Sequence, residues 1–399
     1  MSSLLVFNAK FASVPEGEKS SKSPSSRRLK LNAKFASLPV PEGGNSSESQ
    51  AAKRLRRYYL QAVARELLPD YRVAECLRAV VPGVGCVNVK YSDKFKRAHY
   101  GNLIQCGSVW VCPVCSSKIT ERRRVEMTEA LSRTPLVGVM VTLTFQHSRE
   151  DKLADLQRDL SAAHKQMRSG NGWKYFRERW GVVGAITSTE VTYGLDAGWH
   201  LHKHSLYLVK EKIPDIKAIR DDISKRFEAI MGNLGRYVSP KIGVHVRATT
   251  REVPNYISKW GAAFEITKAV AKVGKGVHYK PFELLYLKAQ GVQWAGEAFR
   301  EYAAAMKGVN QLRWSPKLRS LLGLGQQPTD GELVEAPEET DRLLASLTLK
   351  QWGVILKREK RGELLEVAST GSAEQLQIYL VTVGVYSPIA LPVASGYLD

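Results

Sequence analysis

The spacing of apolar positions along the chain alternates between two periods. Residues 136–145, LVGVMVTLTF, form an unbroken β-branched run, the pattern of a buried strand. GVVGAITSTEVTYG (181–194) and GWHLHKHSLYLV (198–209) read as two more strands, and the LDA between them, flanked by glycines, predicts a hairpin. KIGVHVRATT (241–250) is a further strand. Helical spacing marks residues 51–80, 151–170 and 213–232, the last two closed by glycine. REVPNYISKW (251–260) reads as a helix start, with Pro254 in its first turn. Helices and strands mixed around a hairpin predict an α+β fold, with helices against an antiparallel sheet.

The same pattern divides the chain. Residues 1–50 are rich in Ser, Pro, Gly and Lys and carry an imperfect repeat, NAKFASVPEG (8–17) and NAKFASLPVPEGG (32–44). Such a composition buries too little apolar surface to order itself, so a disordered basic arm is expected. Residues 51–130 read as a helical, Cys-rich region binding zinc and DNA, and 131–325 as the domain holding the hairpin. Residues 326–341 read as an acidic linker and 342–399 as a small helical tail.

Charge sharpens the picture. With 59 Lys/Arg against 39 Asp/Glu the chain carries a formal +20. Residues 326–399 hold 6 Lys/Arg against 11 Asp/Glu, which leaves +25 on residues 1–325. A basic body of this kind attracts polyanions, nucleic acid first and an anionic membrane surface second. No apolar run approaches the ~20 residues of a membrane span, and the N-terminus lacks the pattern of a secretory signal. A cytoplasmic protein without a membrane partner is therefore expected. Five cysteines in that compartment read as metal ligands or buried thiols rather than disulfides.

The candidate chemistry centres on three of the eight histidines. His200, His202 and His204 occupy alternate positions of one strand and so share a face. Neutral imidazoles so placed suit a divalent metal. A turn at Leu195–Ala197 sets Glu190 opposite His202 on that face. The mixed N/O donor set suits Mg²⁺ or Mn²⁺ acting on phosphate. Lys203 points to the other face, where it is a candidate DNA contact. On the helix that carries Pro254 in its first turn, Glu252, Tyr256 and Lys259 share a side. A tyrosine oxygen becomes a competent nucleophile when a metal polarises the phosphate and a cation such as Lys259 favours the phenolate. Glu252 is then the candidate general base.

A second cluster precedes these. Cys112-Pro-Val-Cys115 has the knuckle spacing of a structural Zn²⁺ site, which Cys106 and Cys86 would complete, with His99 the other option for a fourth ligand. Cys76 lies on a helical face and reads as core. Arg122, Arg123 and Arg124 in KITERRRVEM (118–127) are placed to touch phosphates.

Together, VTLTF (141–145), the alternating histidines and Tyr256-x-x-Lys259 resemble the three motifs of the rolling-circle replication initiators, or Rep proteins, of small plasmids. These belong to the HUH endonucleases, named for His–hydrophobic–His. QCGSVWVCPVC (105–115), TEVTYG (189–194), YKPFELL (279–285) and MKGVNQLRWSPKLRSLLGL (306–324) resemble further segments of that family. The resemblance covers about residues 83–325. It implies an HUH endonuclease domain over 131–325, built on a central antiparallel sheet flanked by helices. A Cys-rich zinc element precedes it and a small helical tail follows. It further implies His202 and His204 as metal ligands, with Glu190 the third by position and His200 its alternative. The nucleophile transfers to Tyr256, and Glu252 matches a glutamate that replaces a second catalytic tyrosine in one branch. The implied activity is metal-dependent nicking of single-stranded plasmid origin DNA, leaving a 5′-phosphotyrosine link and a free 3′-OH primer. Host helicase, single-strand-binding protein and DNA polymerase are the implied partners. One departure stands out: Lys203 lies between the two ligand positions, where the family usually has a hydrophobic residue. Rival readings are an HUH transposase or mobilisation relaxase, a histidine-triad nucleotide enzyme, and a non-enzymatic zinc-containing nucleic-acid-binding protein.

Overall fold

Helix α1 (Gln50–Leu67) starts on Ser49, whose hydroxyl accepts the Ala52 amide, and stops two residues before Pro69. The helix expected over 51–80 thus ends early. Proline lacks the amide a continuing helix needs and disfavours helical geometry in the residue before it. The chain turns instead through a 3₁₀ segment at Arg72–Ala74. This computed structural model describes residues 49–210, 215–249, 278–335 and 341–386. The N-terminal repeat and Glu252, Tyr256 and Lys259 lie outside the described residues.

The smaller of two sheets has three antiparallel strands. β1 (Cys86–Ser92) lies between β2 (Arg97–Gly101) and β9 (Asp341–Thr348). The segment expected as a helical tail therefore opens with a strand that completes the sheet of the Cys-rich region. Three helices follow it, α10 (Leu349–Lys357), α11 (Arg361–Ala368) and α12 (Ala373–Thr382). Arg361, 1% exposed, donates to Gln61 Oε1 and the Leu77 carbonyl at 3.0 Å each and to the Cys76 carbonyl at 3.4 Å. One guanidinium thus joins α11 to α1 and to the loop around Cys76. The stretch expected as a linker is also docked. Its short helix α9 (Asp330–Glu335) is held by an Arg123–Asp330 ion pair to α2 (Pro113–Ser132).

The larger sheet runs β6 (Val244–Thr249), β3 (Val137–Leu143), β5 (Gly198–Val209), β4 (Val182–Gly194) and β7 (His278–Tyr279), and β8 (Leu312–Trp314) also pairs with β4. Every pairing is antiparallel. Helices α3 (Leu153–Met167), α4 (Gly170–Trp180), α5 (Ile216–Asn233), α6 (Pro281–Ala289), α7 (Gln293–Ala305) and the single turn α8 (Leu318–Leu321) complete the described elements around it. The outcome is the expected α+β fold, with an antiparallel sheet flanked by helices. No helix among the described residues is long and apolar enough to cross a membrane.

The two faces of β5 meet different surroundings. On one, Leu206 and Leu208 join Met140, Ile186, Leu312, Trp314 and Leu318 in a core closed by Met127 of α2. Continuing along the same face, the side chains change to His204, His202 and His200, so the hydrophobic core ends where the imidazoles begin. On the other face Trp199 stacks on Tyr302 of α7 and His164 of α3 meets the Ser205 hydroxyl at 3.2 Å. Trp173 of α4 packs beside Tyr207 there.

Arg361→Ala should lower the unfolding free energy by about 2–4 kcal/mol, because it strands a buried amide oxygen and two carbonyls. Urea denaturation checks this; a change within about 0.5 kcal/mol, the range of ordinary surface substitutions, would contradict the joining role.

Candidate metal centres

The β4–β5 hairpin fixes the first centre. Gly194 and Gly198 pair on either side of the Leu195–Ala197 turn. Gly198 has φ +70°, and a Cβ there would lie 3.0 Å from the Arg149 Cα, so glycine satisfies both the backbone and the space. The resulting register sets Glu190 opposite His202 and Ser188 opposite His204. From the other neighbour, β3, Thr142 faces His204.

These positions bring three donors together. Glu190 Oε2 lies 2.8 Å from His204 Nε2 and 3.9 Å from His202 Nδ1, and one ligand atom from each residue falls within 4.8 Å of the others. The second ring nitrogen of His204 meets the Thr142 hydroxyl at 3.0 Å. An outer partner of this kind fixes the orientation of a ligating imidazole. Burial opposes ionisation of Glu190, but hydrogen bonds from His202 and His204 outweigh it and hold the carboxyl well below the usual carboxylate range. Its side chain is 45% exposed, so the group opens to solvent. Two imidazoles, one carboxylate and open positions fit an octahedral cation such as Mg²⁺ or Mn²⁺.

His200 shares the face but not the cluster. Its Nδ1 lies 2.6 Å from His147 Nε2, and His147 Nδ1 lies 3.0 Å from the Ala197 carbonyl. Burial first, then neighbouring His202, His147 and His278, push His200 down to about 3, so it stands as a neutral imidazole. Between the two alternatives for a third donor, the geometry groups Glu190. His147 and His278, whose ring centroid is 6.0 Å from that of His200, extend the row of imidazoles. Both escaped the sequence reading, although His147 follows VTLTF by two residues and His278 immediately precedes YKPFELL.

The second centre needs a correction. Cys106, Cys112 and Cys115 come together as expected, but the fourth thiol is Cys76. Cys86 sits on β1 with its thiol toward Asn88 Oδ1, and His99 pairs with Asp341 at 2.9 Å. Because α1 ends before Pro69, Cys76 lies in a turn that aims it at the knuckle. Sγ–Sγ separations are 3.8 Å for Cys76–Cys112, 3.5 Å for Cys76–Cys115 and 3.6 Å for Cys106–Cys115. Bridged cysteines would stand about 2.05 Å apart, whereas Zn–S bonds of about 2.3 Å in a tetrahedron give edges of about 3.8 Å. The Cys115 amide and Gln61 Nε2 each reach Cys112 Sγ at 3.4 Å. Burial pushes the Cys112 thiol up, yet hydrogen bonds from Cys106, Cys115 and Cys76 prevail and hold it well below the ordinary thiol value. The donor set fits a closed structural Zn²⁺ site.

The expected phosphate contacts divide. Arg123 is 9% exposed, with its guanidinium on Gln311 Oε1 at 2.9 Å and on Asp330, so it ties elements together instead of facing a strand. Arg122 donates to the Leu333 carbonyl, and Arg124 pairs with Glu121. Lys203 lies on the face opposite the imidazoles, 9% exposed, donating to Thr189 Oγ1 at 2.6 Å.

Fold and sites define an α+β protein with two sets of donors, a buried knot of four cysteine thiols and a half-open imidazole–carboxylate group on a sheet. The chain is 26% identical over 349 residues to "Protein rep" of Streptomyces lividans, across 68% of this chain and 75% of that protein. It is 34% identical over 134 residues to "Neomycin resistance protein" of Streptomyces cyanogenus, across 27% of this chain and 31% of that protein. No family model and no solved structure matches it. This similarity to a Rep protein points the same way as the motifs read from the sequence.

Metal analysis separates the cysteines: Cys76→Ser should abolish bound zinc and Cys86→Ser should leave one equivalent. The reverse pattern would contradict the observed knot. For the other centre, Glu190→Gln should weaken Mn²⁺ binding more than Thr142→Val, which removes only an outer partner and should cost about 10–100-fold. Titration calorimetry measures both, and an unaltered affinity in Glu190→Gln would remove the carboxylate from the donor set.

Proposed function

We propose that the chain is a plasmid rolling-circle replication initiator that nicks single-stranded origin DNA and joins itself to the cut strand. The observation that carries this reading is the group formed by Glu190, His202 and His204 on the open end of a sheet. It stands in a strongly basic chain related to a Rep protein. Bound there, a divalent cation supplies Lewis-acid stabilisation of the charge that develops on phosphate oxygens.

The chain's own residues do the rest. Thr142 holds the His204 ring in place, and Glu190 keeps a negative charge beside both imidazoles. Tyr256 attacks in line: its oxygen bonds to phosphorus as the P–O3′ bond breaks, and the leaving oxygen takes up a proton to become the 3′-OH primer. Lys259 favours the phenolate form of Tyr256. At the end of a round Glu252 takes a proton from water, whose oxygen attacks the same phosphorus and releases the tyrosine.

The test is incubation of the full chain with single-stranded origin DNA and Mn²⁺, followed by denaturing electrophoresis. Wild type should give a covalent adduct, and Tyr256→Phe none, with origin binding nearly intact. Glu252→Gln should form the adduct yet release it slowly. An adduct formed by Tyr256→Phe would assign the nucleophile elsewhere.

A further inference from the structure

On the side of β4 and β5 that faces away from the imidazoles, a cavity of about 1220 Å³ opens between α3, α4 and residues 308–321. Its lining includes Lys165, Arg168, Arg177, Lys203, Arg313 and Lys317, and no aspartate or glutamate. Register explains the gathering. Arg313 on β8 faces Thr187 on β4, which faces Ser205 on β5, and the next row along is Thr189 with Lys203. Cations from two strands therefore project to one side, where Arg168 from the end of α3 meets them.

Compensation within the protein is sparse. Lys203 is 9% exposed, and the partner it donates to, Thr189 Oγ1, is neutral. Arg168 reaches the Thr187 hydroxyl at 3.3 Å and lies over the Trp173 ring at 5.7 Å, while its Nε is buried without a hydrogen-bond partner among the described residues. Arg177 spends its guanidinium on the Val182 and Val183 carbonyls. The groups feel one another. Burial followed by Arg168, Lys203 and Arg313 holds His164 down to about 3. Like charges drawn out of water cost free energy unless an opposite charge joins them. Nothing in the folding of the sheet requires lysine at 203, since its neighbours on that face are Leu201 and Ser205. The chain keeps a costly set of cations, which is the mark of a site built for an anion.

We infer that this cavity is a second binding site for the phosphates of a single DNA strand, on the reverse of the sheet from the imidazole–carboxylate centre. The volume exceeds the about 300–1,000 Å³ of small-molecule sites, and six spread cations suit several consecutive phosphates better than one. The site needs neither the divalent cation nor Tyr256, so it stands or falls apart from the nicking reaction. A strand held here stays bound while the opposite face is engaged.

The test uses the full chain without added divalent cation, a fluorescent twelve-residue oligothymidylate as probe, and dTTP as competitor. Lys203→Met and Arg313→Gln should each weaken oligothymidylate binding tenfold or more. Each should also flatten the dependence of log K on log salt by about 0.7 for the lost charge. Lys203→Met should melt higher than wild type in the absence of DNA, which separates loss of the site from loss of the fold. In the unaltered chain, oligothymidylate should slow amide hydrogen exchange across residues 308–321. Unchanged affinity and salt slope in both variants would overturn the proposal, as would no protection of that segment. Displacement of the probe by dTTP at equal affinity would also overturn it, assigning the cavity to a free nucleotide.

Discussion

A shift of one residue between β4 and β5 would carry Glu190 to the far side of the sheet from His202 and His204, because side chains alternate faces along a strand. The register of this hairpin is thus the constraint on which the first centre rests. It is set locally by a turn closed between Gly194 and Gly198, and globally by burial on both faces. Leu206 and Leu208 must meet the core under α2, and Trp199 must meet α7. One slip would turn Leu206 and Leu208 away from that core and set Ser205 and Tyr207 in their place. Hydrophobic packing at one end of β5 therefore positions the polar chemistry at the other.

The knot of four cysteines does for the first part of the chain what the hairpin does for the second. It joins the end of α1, the loop after it and the start of α2 through Gln61, Cys76 and Cys112, and Arg361 links the same loop to α11. Strand β9 then closes the small sheet from a point some 250 residues further along than its partner β1. The acidic surplus after residue 326 is used in part here, since Asp330 and Glu359 pair with arginines of the basic body. Long-range closure of this kind is slow to form but adds many contacts at once.

Much of the first centre was legible because it depends on short-range rules. Period two placed three histidines on one face, and a glycine-flanked turn set Glu190 opposite His202. The second centre was read with one ligand wrong, for a local reason: helical spacing was carried past Pro69, which made Cys76 seem a core residue and left Cys86 to fill the set. The pairing of β9 with β1 left no mark in the pattern, since a strand carries no signature of a distant partner. His147 and His278 come from separate segments whose meeting with His200 only the fold discloses. Lys203 was expected on the reverse face and stands there, but its burial among other cations depends on β8 and α3, which the pattern did not bring together.

The most direct test of the first centre is anomalous diffraction from crystals of the full chain soaked in Mn²⁺. The account predicts a peak bonded by His202, His204 and Glu190, at about the 2.0–2.2 Å of ordinary metal–nitrogen and metal–oxygen bonds. A peak between His147 and His200 instead, or no peak near Glu190 at saturating Mn²⁺, would contradict it.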